Sequence, residues 1–132
     1  MTEEEQVIRR YFQTFNRQNI EGLMECFHEN PVLVTASGKR IEGRAAVRNC
    51  YDASFASFPD GRCQLRTCTG ENGQAVAESR FLGTRRRDGN VVEAVGAEMI
   101  EIVGGKIKEI RDHHTRVRAG AEDRAEVADA LR

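Results

Sequence analysis

The chain has 132 residues, with 20 basic against 21 acidic side chains and a formal net charge of -1. That length is one domain with room for a core that needs no disulfide staples, and the charge balance argues against nucleic-acid binding. No stretch nears the roughly 20 apolar residues that span a bilayer. The acidic start Met1-Thr-Glu-Glu-Glu5 is not followed by the apolar run of a secretory signal, so a cytoplasmic protein without membrane contact is expected. The cysteines at 26, 50, 63 and 68 show no C-x-x-C spacing and read as free buried thiols.

The first half reads as helical. Val7, Ile8, Tyr11, Phe12 and Phe15 form one stripe of a first helix, and the acidic start suits its positive end. Asn19 can cap a second helix with Ile20, Leu23, Met24 and Phe27 on its buried side, His28 at its end and Pro31 as its stop. Val32–Thr35 then reads as a short strand and Ser37-Gly38 as a turn. A third helix is expected from about Gly43 to Ser57, with Val47, Tyr51 and Phe55 inward, ended by Pro59-Asp60-Gly61.

Strands fill the second half. Cys63–Thr69, Gln74–Arg85, Val91–Val103 and Lys106–Val117 are separated by Asn72-Gly73, Asp88-Gly89 and Gly104-Gly105, which are hairpin turn pairs. Arg85-Arg86-Arg87 reads as a solvated hairpin end. Helices followed by a long meander imply an α+β fold with the helices on one face of the sheet. The charged, apolar-spotted outer face then meets water or a second copy, and a symmetric homodimer through the sheet is expected. Residues 1–117 form the domain; residues 118–132 read as a weak helix or a disordered tail.

The chemistry sits on the last strand. Successive side chains of a strand alternate faces, so Ile110, Asp112 and His114 share one face, and His113 takes the other. By the same parity Glu98, Ile100 and Ile102 line the concave side, with Ser79 and Phe81 on the next strand and Tyr11, Tyr51 and Phe55 facing them from the helices. An apolar pocket with a few convergent polar groups is the usual form of a small-molecule site. A carboxylate beside an imidazole on such a wall can move protons. Asp112 could instead pair with an arginine, and Glu98 could bond Tyr11 as plain structure. A metal would need Asp112, His114 and a third ligand, for which Glu98 is the candidate; no metal or cofactor is expected.

The texts Tyr-Phe-x-x-Phe-Asn16, Ile-Glu-Gly43, Arg-Phe-x-Gly-Thr84 and Gly-Gly-Lys-Ile-x-Glu-Ile-Arg-Asp112, in this order of elements, resemble the SnoaL-like branch of the nuclear transport factor 2-like superfamily. The resemblance covers about residues 5 to 117 and implies a cone-shaped α+β barrel, three N-terminal helices on a strongly curved antiparallel sheet, with a deep pocket. It also implies a function among cyclases, ketosteroid isomerases, epoxide hydrolases and dehydratases. Tyr11 and Glu98 fall where ketosteroid isomerases carry their oxyanion-binding tyrosine and acid, while the base position falls near Thr35. Asp112 matches the last-strand aspartate of the cyclases and of limonene-epoxide hydrolases, whose Arg-x-Asp pair is replaced here by Ser79 and Phe81. The implied protein is a cofactor-free acid/base isomerase, cyclase or hydrolase acting on a small apolar oxygenated molecule. Asp112, His114, Tyr11 and Glu98 would be its catalytic residues. The alternative is a ligand-binding or dimerisation domain of the same fold without turnover.

Overall fold

The computed structural model describes residues 1–117; the expected tail of 118–132 lies outside the described residues. Helix α1 (Glu3–Asn16) begins where the Thr2 hydroxyl accepts the Glu5 N–H, and its glutamate-rich first turn faces the positive end of the dipole. It buries Val7, Ile8, Tyr11 and Phe12. Helix α2 (Ile20–Glu25) is capped by Asn19, which accepts the Gly22 N–H.

The second helix is shorter than the sequence predicts. Helix α2 ends at Glu25, and Phe27 opens a strand, β1 (Phe27–Val34), that also holds His28 and Pro31. A proline lacks the N–H of a ladder, and Pro31 sits inside the irregular stretch of β1 between its pairings at Phe27 and Val32. Strand β2 (Arg40–Glu42), where the sequence predicts no strand, then folds back on β1. Gly43, at φ 91°, turns the chain into α3 (Arg44–Ser57), which buries Val47 and Tyr51.

Four long strands follow: β3 (Arg62–Glu71), β4 (Gln74–Thr84), β5 (Val91–Val103) and β6 (Lys106–Asp112). They form the expected antiparallel meander, with turns that hold Gly73, Gly89, Gly104 and Gly105 at positive φ. A short β7 (Thr115–Arg116) continues the line of β6 along β5. The spatial order is β2-β1-β6-β5-β4-β3, so the sheet is open and not closed into a barrel. It is also mixed, because β1 reaches its place beside β6 through the helical segment and runs parallel to it. The α+β architecture with three helices on a curved sheet stands.

The core lies between helices and concave face. Ile8, Leu23, Val47, Ile100 and Ile107 are its most deeply buried members. The outer face leaves Val76, Val95, Met99 and Val103 at 37, 40, 36 and 46 % exposure. No helix of the described residues is long and apolar enough to cross a membrane.

Candidate active site

Strand alternation delivers Ile110 and Asp112 to the concave face, and His114 and Arg116 continue the series on the same side. Between Asp112 and Thr115 the ladder is interrupted. Asp112 pairs with Glu98, and Thr115 with Val95, so the two histidines stand opposite Ala97 and Gly96. A Cβ at Gly96 would lie 2.3 Å from the His113 carbonyl oxygen, so only glycine lets the chain press in here. His113 donates its N–H to the Ala97 carbonyl and leaves its side chain exposed.

The space between these strands and the helices is a cavity of about 340 Å³. Of the residues expected at the site, Tyr11, Tyr51, Phe81, Glu98, Ile110, Asp112 and His114 reach its wall. Phe55, Ser79 and Ile100 do not. Phe55 packs its ring on Phe15 and Tyr51, Ile100 is 1 % exposed in the core, and Ser79 lies behind Glu98 and His114. Parity gave their face correctly but not their depth. Cys50, Cys63 and Arg116 also border the cavity and were not anticipated there. For Arg116 the signal was present, since it lies two residues beyond His114 on the same parity.

Protons on the network can be counted. Asp112 Oδ1 accepts the His114 backbone N–H at 3.0 Å and lies 2.5 Å from His114 Nδ1. The other ring nitrogen, Nε2, lies 2.8 Å from the Ser79 hydroxyl and 3.2 Å from the Ser79 carbonyl oxygen. A carboxylate faces one nitrogen and a carbonyl the other, and both only accept, so the arrangement suits an imidazolium with two N–H donors. The Asp112 hydrogen bond accordingly raises the His114 pKa, against partial burial, which lowers it. With Nε2 donating to it, the Ser79 hydroxyl turns its single proton to Glu98 Oε1, at 3.4 Å, and also accepts from the Cys63 thiol at 3.3 Å.

Glu98 is the unusual member. Burial, and then the Asp112 charge, push its pKa from the ordinary 4.5 to about 7, while His114 and the Ser79 bond oppose the rise. Its Oε1 has Ser79, but its Oε2 is buried with no hydrogen-bond partner among the described residues. An unpartnered buried oxygen is costly, and such exceptions concentrate where a protein does something.

Across the cavity the Tyr11 and Tyr51 hydroxyls are 2.7 Å apart. Tyr11 therefore bonds Tyr51 and not Glu98. Burial raises both phenols well above their ordinary range, so both stay protonated. Two hydroxyl protons serve one hydrogen bond, and the second has no acceptor among the described residues.

Among the described residues, the side chains grouped so that they could hold a cation are Cys63, Glu98 and His114, whose donor atoms lie within 4.8 Å of one another. Cys63 stands where Asp112 was expected in such a set. The Ser79 hydroxyl bonds all three, and burial holds the Cys63 proton by pushing its pKa up to about 12.

The family model of the SnoaL-like domain matches residues 8–110. The chain belongs to the SnoaL-like family. No curated protein matches this SnoaL-like chain. Similar folds among solved structures include two with putative names. One is a SnoaL-like polyketide cyclase from Jannaschia sp. CCS1, with TM-score 0.75 and 15 % identity over 86 % of this chain and 85 % of that one. The other is a ketosteroid isomerase from Kribbella flavida DSM 17836, with TM-score 0.70 and 19 % identity over 89 % and 80 %. Bal32a, from a soil-derived mobile gene cassette, has TM-score 0.77 and 18 % identity over 85 % and 88 %. At these identities the likeness carries the fold, and activity has to be argued from the site.

Proposed function

We propose that this SnoaL-like protein is an acid/base catalyst, of isomerase, cyclase or hydrolase type, for a small, largely apolar carbonyl compound bound in the cavity. The observation that carries the reading is Glu98: a buried carboxyl in the cavity wall, its pKa pushed up to about 7, with an oxygen that has no hydrogen-bond partner among the described residues. A ligand oxygen would supply the partner Oε2 lacks.

The chemistry balances with side-chain protons. Asp112 takes a proton from the carbon beside the ligand carbonyl, and the C–H electron pair moves into the enolate, placing charge on its oxygen. Protonated Glu98 and the spare hydroxyl of the Tyr11–Tyr51 pair donate to that oxygen as the charge grows. His114 positions that carboxylate, its backbone N–H and Nδ1 both meeting Asp112 Oδ1. Return of the proton to a different carbon completes an isomerisation; attack of the enolate carbon on a second carbonyl, whose π pair moves to its oxygen and takes the proton back from Asp112, completes a cyclisation. In hydrolysis of an ester carbonyl Asp112 would take a proton from water as the water oxygen bonds the carbonyl carbon, and that proton would pass to the departing alkoxide as the acyl C–O bond breaks.

One observation favours the rival reading of a binding domain without turnover: both His114 nitrogens are already satisfied within the protein. The two readings separate by proton exchange. Ketones that raise the melting temperature are incubated in D₂O with wild type and Asp112→Asn, and deuterium at the α-carbon is followed by NMR. Catalysis predicts exchange by wild type, reduced on the order of 100-fold or more by the substitution, while binding persists. Bound ketones that never exchange sink the catalytic reading.

A further inference from the structure

The cavity has two unlike ends. Its carboxyl groups, Glu98 and Asp112, lie on paired positions of β5 and β6. Four residues beyond Asp112, on the same parity, Arg116 borders the same cavity. Its strand pairs with Ala94, which also lines the wall with Val92, and His114 stands on this face between Asp112 and Arg116. At ~3.3 Å per strand residue, Arg116 is carried about 7 Å past His114 and about 13 Å past Asp112. Among the described residues, Arg116 and His114 are the cavity's only cationic side chains, and Arg116 takes part in no ion pair or side-chain hydrogen bond. The neighbouring strand arginines are engaged: Arg80 pairs with Glu93 and Arg111 with Glu109.

A guanidinium presents a planar fork of donors that matches a carboxylate in bidentate fashion. Set at one end of an apolar cavity whose other end can polarise a carbonyl, it selects ligands with an acid at the far end. We infer that the substrate is a keto acid: a carbonyl group at Glu98 and the tyrosine pair, a largely apolar body, and a carboxylate on Arg116. The inference rests on the reading of Glu98 as the carbonyl partner and narrows it to a class of substrate.

The test compares 4-acetylbenzoate with its methyl ester, which share the ketone and ring and differ in the charge. Binding to the full chain is measured by calorimetry at low salt for wild type, Arg116→Gln and Arg116→Lys. Wild type is expected to bind the acid at least tenfold more tightly than the ester. Arg116→Gln brings the two within twofold without changing ester affinity, and Arg116→Lys retains part of the preference. Equal binding of acid and ester by wild type overturns the keto-acid inference and leaves the carbonyl site standing. So does a preference that survives Arg116→Gln. If wild type binds neither compound, the carbonyl reading fails and the keto-acid inference falls with it. Arg116 is exposed, so both variants are expected to fold, and a melting curve confirms it.

Discussion

Gly96 and His114 touch backbone to backbone: a Cβ on Gly96 would stand 2.7 Å from the His114 Cα. The imidazole reaches the cavity because β5 has no side chain at this point. Gly96→Ala must push the His113–His114 segment outward and break the bonds from Nε2 to Ser79. A loss of about 1–3 kcal/mol in stability is expected, the range of a clash that the backbone must relieve. The readout specific to the site is the His114 imidazole resonance, whose titration should fall toward the ordinary histidine value. An unchanged titration would show that the contact does not position the ring.

The pH dependence of stability follows from two groups that share a sign. Glu98 has its folded pKa raised by burial to about 7, so the folded state holds a proton that the unfolded chain releases near 4.5. Its contribution is present below 4.5 and is lost as pH rises through about 7. His114 is raised by its hydrogen bond to Asp112, so its contribution is present below its ordinary 6.5 and is lost as pH rises through the elevated value. Chemical denaturation should therefore show stability falling from about pH 5 to pH 8. Glu98→Gln should flatten the first part of that fall. A stability that rises over this interval in wild type would contradict the burial of a neutral Glu98.

Asp112→Asn should act on His114 before it acts on any substrate. The carboxylate is the largest cause of the raised His114 pKa, and an amide cannot replace its charge. NMR titration of the variant should place His114 lower than in wild type. A titration that does not move would show that the Ser79 carbonyl alone maintains the imidazolium.

Tyr51→Phe separates the phenol pair. It removes the one partner of Tyr11 and leaves a buried hydroxyl, at a cost of about 1–3 kcal/mol measured by denaturation. Tyr51 and Tyr11 are the chain's only tyrosines, so tyrosine absorbance in the variant reports Tyr11 alone. Proposed carbonyl ligands should keep most of their affinity, because Tyr11 then offers its proton to the ligand directly. Complete loss of ligand binding would assign the donor to Tyr51.

A homodimer through the outer face of the sheet is proposed from the third or more of Val76, Val95, Met99 and Val103 that remains exposed. Val76 and Met99 are paired across β4 and β5, so they form one patch. Sedimentation should give a dimer that Met99→Asp converts to a monomer. A wild-type monomer at micromolar concentration would end that proposal.

The elements that local chemistry writes were legible. The Asn72-Gly73 and Gly104-Gly105 turns fixed two hairpins, the α1 stripe fixed its buried face, and parity brought Asp112, His114 and Glu98 together. What depends on distant partners was not. Phe27 continues a helical stripe as well as it opens a strand, and only its pairing with Ile107 decides. Tyr11 and Tyr51 meet across 40 residues of sequence. Parity marks the face of Ser79 and Ile100, but whether a side chain lines a cavity or lies beneath it depends on which neighbour is longer.

Ser79 has one hydroxyl proton and three neighbours that can use it or feed it. While His114 is charged, that proton belongs to Glu98. Once His114 gives up its Nε2 proton, the bare nitrogen becomes the better acceptor and the hydroxyl swings over to it, leaving Glu98 Oε1 without a donor. A buried carboxylate deprived of its donor holds its own proton more firmly. Discharge of the imidazole thus tightens the grip of the glutamic acid, and the two titrate as one unit with a serine as the hinge between them.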